Sequence, residues 1–405
     1  MRVRPTPLTF AAAAAAVALA AAPRAAAAQE CATPALEWLF CDDFESAADV
    51  DGNLGLWDDQ GLTPSNLVLT TDPLRVHGGA HALEITAHMG ADTGGGPAKW
   101  FAGADTVYLR FWTQFEETYN YPHHFVTLLA TRTDDMWSAF GMAGCRPAGD
   151  NFYTTGIEPW SNWGGNPPPG AWNFYTYSVD MTCDPGATCM NYADPAMICT
   201  DCAARGSPCD NGPECCWGNG YGPPVPAVSA LGAWVCVEAM ASANTPGADD
   251  GAQAFWIDGT PMGAWSDVTW RTDPTLQWNA LALWHYVTDD NYRPGQTQET
   301  VWFDDVVVST APIGCGAGGP PPGPDAGAGG ATDAGGSGGD GGGPGGGGGG
   351  GRGGCHCALA GARGAGAGGA ADCLLLGLGA AGALRALRRR GRHHALAQDS
   401  ARSPR

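Results

Sequence analysis

The sequence predicts an all-β fold, a two-sheet sandwich or jelly roll. Three observations carry that prediction. Runs of strand length, rich in β-branched and aromatic residues, recur between Thr106 and Ser309. Clusters of Gly, Pro, Asn and Asp separate them, and no amphipathic helix of convincing length precedes the C-terminal tail.

The N-terminus reads as an export signal. Met1 to Arg4 is basic, Leu8 to Ala22 is apolar and alanine-rich, and Ala25 to Ala28 is small before the polar Gln29. These are the parts of a secretory signal peptide over residues 1–28, too short and alanine-rich for a permanent span. Cleavage near Ala28 leaves Cys31 close to the new terminus. Gln29-Glu30 does not fit the lipobox of a lipoprotein, so Cys31 reads as a disulfide partner.

Residues 29–315 are sized for one large sandwich. The segment from Thr106 to Phe115 places Leu109, Phe111 and Phe115 on one side and Tyr108, Arg110, Trp112 and Gln114 on the other. Phe125 to Thr131, Trp172 to Asp180, Ala233 to Met240, Ala254 to Asp258, Asn279 to Val287 and Val301 to Ser309 also read as strands. Seven cysteines crowd residues 183–216, a stretch without apolar periodicity that reads as an inserted, disulfide-stapled loop. Cys199-x-x-Cys202 with Cys215-Cys216 also has the composition of a four-thiolate zinc site. Residues 316–354 are almost wholly Gly, Pro, Ala and Asp, a flexible linker that cannot build a core.

The tail, residues 355–405, begins Cys355-His356-Cys357. It continues through a weakly apolar helical stretch from Ala365 to Leu387 and ends with Arg388, Arg389, Arg390 and Arg392. A cysteine, a hydrophobic segment and a basic end in that order resemble the MYXO-CTERM type of surface-sorting tail. The resemblance implies a sorting protease that trims the tail, and display on the outer cell surface or release. An ordinary C-terminal anchor or a disordered tail fits the same residues. The tail is the chain's expected membrane contact, and the protein is expected to be monomeric.

The chain carries a formal charge of -21, and Lys99 is its single lysine. Nucleic acid and anionic lipid are therefore disfavoured as partners.

Cys41-Asp42-Asp43-Phe44-Glu45, Tyr108 to Trp112, Asn244-Thr245-Pro246-Gly247 leading to Phe255 to Gly259, and Trp302 to Val308 form a set. Together they resemble concanavalin A-like jelly rolls of the polysaccharide-lyase type, the group of glucuronan lyases and fungal cellulose-induced proteins. The resemblance implies a polysaccharide partner and cleavage by β-elimination. The same residues suit a non-catalytic glycan-binding module or a structural adhesion protein.

Elimination needs a group that neutralises a uronate carboxylate, a base and an acid. Arg110 and Arg132 are candidate neutralisers, His123 or His124 the base, and Tyr286 or Tyr121 the acid. Trp112, Gln114 and Trp284 are expected to line one groove with Arg110, because an aromatic plate stacks on a sugar ring while Arg and Gln bond its hydroxyls. Trp112 and its neighbours packed under a loop is the competing expectation. Lys99 is expected to add positive charge to the groove. Asp43 and Glu45, near the first strand, and Asp304 and Asp305, in the last, offer hard oxygens for a structural calcium ion if the terminal strands pair. No closely spaced carboxylate pair on one strand face suggests a glycosidase.

Overall fold

The structure, a computed structural model, describes residues 30–50, 54–61, 66–90, 94–140, 142, 145–181, 218–288 and 291–316. The expected signal peptide, the cysteine-rich insertion, the linker beyond Gly316 and the sorting tail with its helix lie outside the described residues. No helix among the described residues is long and apolar enough to cross a membrane.

In chain order the strands are β1 (Trp38–Asp42), β2 (Leu67–Thr70), β3 (Ala82–His88), β4 (Gly94–Gly95), β5 (Ala98–Ala104), β6 (Thr106–Phe115), β7 (Val126–Thr131) and β8 (Phe152–Trp160). There follow β9 (Ala171–Tyr177), β10 (Asn219–Tyr221), β11 (Trp234–Ser242), β12 (Gly251–Ile257), β13 (Thr260–Val268), β14 (Trp278–Ala282), β15 (His285–Tyr286) and β16 (Gln298–Ser309). The first sheet runs β13-β12-β11-β6-β16-β3-β2, with β1 also paired to β16. The second runs β10-β9-β8-β7-β14-β5, and β15 pairs with β4 beside it. Neighbours are antiparallel throughout, and the expected pairing of the first and last strands is present. This is the two-sheet sandwich that the alternating runs predict.

The core lies between the sheets. Leu109, Phe111 and Phe115 of β6 meet Phe125, Trp172 and Phe174 from the second sheet, all fully buried. Phe111 sits 6.5 Å from Trp172 and 6.0 Å from Phe303, ring centroid to centroid. Each such side chain stabilises the fold by roughly 1.5–3 kcal/mol on burial. Two disulfides, Cys31–Cys41 and Cys236–Cys315, brace the chain ends against the first sheet, and Cys145 is also disulfide-bonded. The expected strand from Asn279 to Val287 is divided, because Gly96 packs where a Cβ would stand 1.9 Å from the Leu283 carbonyl oxygen. That close approach leads β14 into the short β15.

Several ionisable groups are folded into this core. Glu299, on the inner side of β16, accepts the Asn120 N–H, and burial with repulsion from Glu116 pushes its carboxyl up to about 8. His285, whose Nε2 meets the Tyr119 hydroxyl at 2.9 Å, is pushed down to about 3 by burial. The histidine is neutral both folded and unfolded above its ordinary value of 6.5, so it does not affect stability there. Glu299 keeps its proton in the native state while the unfolded chain releases it, so stability falls as pH rises from 4.5 to about 8. Glu299→Gln is expected to reduce the loss of stability between pH 6.5 and pH 8 by about 2 kcal/mol. Urea unfolding of both proteins at the two pH values measures it; equal slopes would show that Glu299 ionises normally.

Candidate functional site

The outward face of the second sheet carries the site. Period-two alternation sets Gly156, Glu158 and Trp160 of β8 on that face, because the intervening Ile157 enters the core. Their partners on β9 are Tyr175, Asn173 and Ala171, in register. Gly156 also pairs with Thr127 of β7, which in turn pairs with Ala282 of β14. A Cβ at Gly156 would stand 3.2 Å from the Thr127 hydroxyl and 3.5 Å from Glu158 Oε2, so the missing side chain leaves a low floor between larger neighbours.

His124 stands over one edge of this floor. Its backbone bridges to Tyr286: Tyr286 N–H donates to the His124 carbonyl at 3.0 Å, and the N–H groups of His123 and His124 both donate to the Tyr286 carbonyl. His124 Nδ1 lies 3.3 Å from Glu158 Oε2, which also accepts the Phe125 N–H. The His124 ring is 5.2 Å from Tyr175 and 6.1 Å from Tyr286, between centroids. With Nδ1–H donating to the buried Glu158 carboxylate, Nε2 carries the free lone pair, the tautomer a general base needs. Tyr175 accepts the Gly218 N–H through its hydroxyl and meets the Tyr177 hydroxyl at 3.2 Å. Burial, then Tyr177 and Glu158, hold the Tyr175 phenol well above its ordinary value, so it keeps a proton to give while burial makes it a weaker acid.

His123 sits beside His124, rings 4.5 Å apart, but burial and that neighbour push it down to about 3. Tyr121 is tied by its hydroxyl to the Asn166 carbonyl of the β8–β9 loop, 2.7 Å away. Trp284 flanks the face with Trp100, Trp137 and Phe140, and Phe140 lies 5.6 Å from Trp284. Trp284 and Tyr286 thus face outward while Leu281 and Leu283 enter the core, the alternation expected from the sequence. Tyr175, Glu158 and Trp160 were not anticipated. Glu158 and Trp160 lie on a strand that Gly156 and Pro159 disguise in the sequence, whereas Tyr175 lies on β9, within the run from Trp172 that the sequence predicts as a strand.

Arg110, Trp112 and Gln114 are elsewhere. They occupy the outward face of the first sheet, on the other side of the core from His124, with Arg110 and Gln114 buried and Trp112 half-buried. Arg110 is 3% exposed; it holds Glu30 in a bidentate pair at 3.0 and 2.5 Å and donates to the carbonyls of Asp305 and Gly314. His77 stacks on Trp112 at 3.7 Å, and Gln114 donates to the Gly232 carbonyl. The expected groove uniting them with Trp284 and Tyr286 is therefore replaced by a packed surface, because chain segments from both ends of the domain lie over β6. Lys99 alternates with Trp100 on β5 and turns away from the site face to the Leu56 carbonyl and Asp58. Arg132 is exposed and paired with Asp134 within its own turn.

The four carboxylates considered for calcium do not converge on one point. Glu45 is turned onto the N–H groups of Ala80 and His81 and the His81 ring. Among the described residues, the cluster with metal-ligand spacing is His77, Asp304 and Asp305. Asp304 there accepts N–H bonds from His77, Gly78 and Asp305, and Asp305 Oδ2 faces His77 Nδ1 at 2.7 Å. Burial and repulsion from Asp305 push the Asp304 carboxyl up to about 9. Asp43 takes the N–H groups of Cys31 and Glu45 and lies near enough to Asp305 to feel its repulsion. Calcium requires six to eight oxygens in an open cage. This corner offers carboxylate oxygens from Asp304, Asp305 and the neighbouring Asp43, beside the His77 imidazole.

No family model and no curated protein matches the chain. Solved structures similar to it include the alginate lyase Aly36B, at 14% identity and a TM-score of 0.40, covering 65% of this chain and 90% of that one. The alginate lyase vAL-1 from Chlorella virus is 12% identical with a TM-score of 0.46, covering 68% and 100%. The endo-beta-1,4-glucuronan lyase from the fungus Trichoderma reesei is 16% identical with a TM-score of 0.37, covering 68% and 91%. At these values the likeness assigns no residue a role.

Proposed function

We propose that this is an exported polysaccharide lyase that cleaves a uronate-containing glycan by β-elimination on the outward face of its second sheet. The observation that carries the reading is the His124–Glu158 pair set beside the protonated phenol of Tyr175. His124 Nε2 takes the proton from the ring carbon next to the carboxylate. The electron pair forms the ring double bond, the glycosidic C–O bond breaks, and the Tyr175 hydroxyl protonates the leaving oxygen. Glu158 positions His124, and Tyr286 holds it in place through the backbone bridge. Disulfides bracing both chain ends support export.

A second reading is a glycan-binding module without catalysis. It is favoured by the placement of Arg110 on the other sheet, held by Glu30, and of Lys99, held by the Leu56 carbonyl and Asp58, which leaves neither to neutralise a uronate on this face. Ultraviolet absorbance of the unsaturated product, followed on polymannuronate, polyguluronate and polyglucuronate, separates the two. The lyase reading expects product from at least one; retention of glycan with no product on all three would leave the binding module.

A further inference from the structure

Trp160 and Trp163 are among the exposed large side chains, at 46% and 83%. We infer that they form a stacking platform which holds the polymer beyond the reacting sugar, so that the site takes a long polysaccharide chain by the apolar faces of its rings. The inference rests on the reading of the His124 face as a glycan site and extends it along β8.

Three observations place the platform. Trp160 lies on the same face of β8 as Gly156 and Glu158, with Ile157 in the core between them. A two-residue step along the strand carries Glu158 to Trp160, about 7 Å, so the indole stands beside the base rather than on it. Across the sheet, Trp160 pairs with Ala171 and Ala171 bridges to Val228, itself 37% exposed. The short alanine therefore leaves a slot between an indole and a valine. Finally, Trp163 is carried by a loop built to present it. Asn162, Trp163 and Gly164 all have positive φ, at 49°, 54° and 82°, an unfavoured conformation for a bulky aromatic.

Hydrogen bonds within the loop hold that conformation. Gly164 and Asn166 N–H donate to the Ser161 carbonyl, Gly165 N–H donates to Asn162, and the Asn166 side chain donates to the Trp160 carbonyl. The Asn166 carbonyl in turn accepts the Tyr121 hydroxyl, three residues before His124. The platform and the base are thus joined through one short path. Indoles that leave about half or more of their surface in water gain by covering an apolar ring face.

The test is affinity electrophoresis through gels containing polymannuronate, polyguluronate or polyglucuronate, run with the wild type, the Trp160→Ala/Trp163→Ala double variant and His124→Ala. The wild type and His124→Ala are expected to be retarded, with the apparent affinity of the double variant reduced about tenfold or more. Equal retardation of the wild type and the double variant would overturn the platform and leave the lyase reading standing. A wild type that is neither retarded nor productive on any polymer would overturn both. A wild-type dimer that the double variant converts to monomer in sedimentation, with retardation unchanged, would assign this face to contact between copies and overturn the platform.

Discussion

His124→Ala is expected to lower the rate of unsaturated-product formation by 10²–10⁴-fold, the contribution typical of a positioned general base. The imidazole is 27% exposed and stands at the surface of the sheet, so its removal leaves the core intact. Tyr175→Phe should produce a loss of the same order, because the leaving oxygen then departs unprotonated. Glu158→Gln keeps a hydrogen-bonding partner at 3.3 Å but removes the charge that selects the Nδ1–H tautomer. An intermediate loss in kcat with little change in KM is expected there. Rates are read with folding checked by near-ultraviolet circular dichroism. Wild-type rates for both His124→Ala and Tyr175→Phe would move the chemistry off this face.

Arg110→Met is expected to destabilise the domain by about 2–3 kcal/mol, below the range for a fully buried ion pair because the Glu30 side chain is 35% exposed. The arginine joins the two ends of the domain on the covered face of the first sheet. It holds Glu30 at the N-terminal end and the Gly314 carbonyl at the C-terminal end. Glu238, opposite Arg110 in register, accepts the N–H groups of Ile313 and Gly314. Burial raises the Glu238 carboxyl, the Ile313 and Gly314 N–H groups lower it and Arg110 lowers it further, so loss of the guanidinium removes part of what holds this acid inside. Denaturant unfolding reads the loss. The KM of the folded variant for polymer should be unchanged, since Arg110 is not on the site face. A raised KM with unchanged stability would return Arg110 to the role of ligand-binding residue.

The contrast between Arg110 and His124 marks what the sequence made legible. Alternation in Thr106 to Phe115 correctly separates Leu109 and Phe111 from Arg110 and Trp112, because side-chain direction along a strand is a local property. Whether the polar side of that strand meets solvent is not local. It depends on His77, Glu30 and Gly314, which are distant in sequence and return to cover it. Trp284 and Tyr286 were legible for the same local reason and remain uncovered enough to flank the site. Glu158 and Trp160 were hidden because Gly156 and Pro159 depress strand propensity, although Gly156 is what opens the floor. The pairing of terminal strands was legible from the fold class, but not the N–H groups that occupy their carboxylates.

Amide hydrogen exchange of His124→Ala, with and without a uronate trisaccharide, tests most directly which sheet meets the ligand. Slowed exchange is predicted in residues 121–127, β8 and β9, with β11 and β12 unchanged. Protection confined to the segments over β6, around His77 and residues 311–316, would contradict the assignment of the second sheet's outward face.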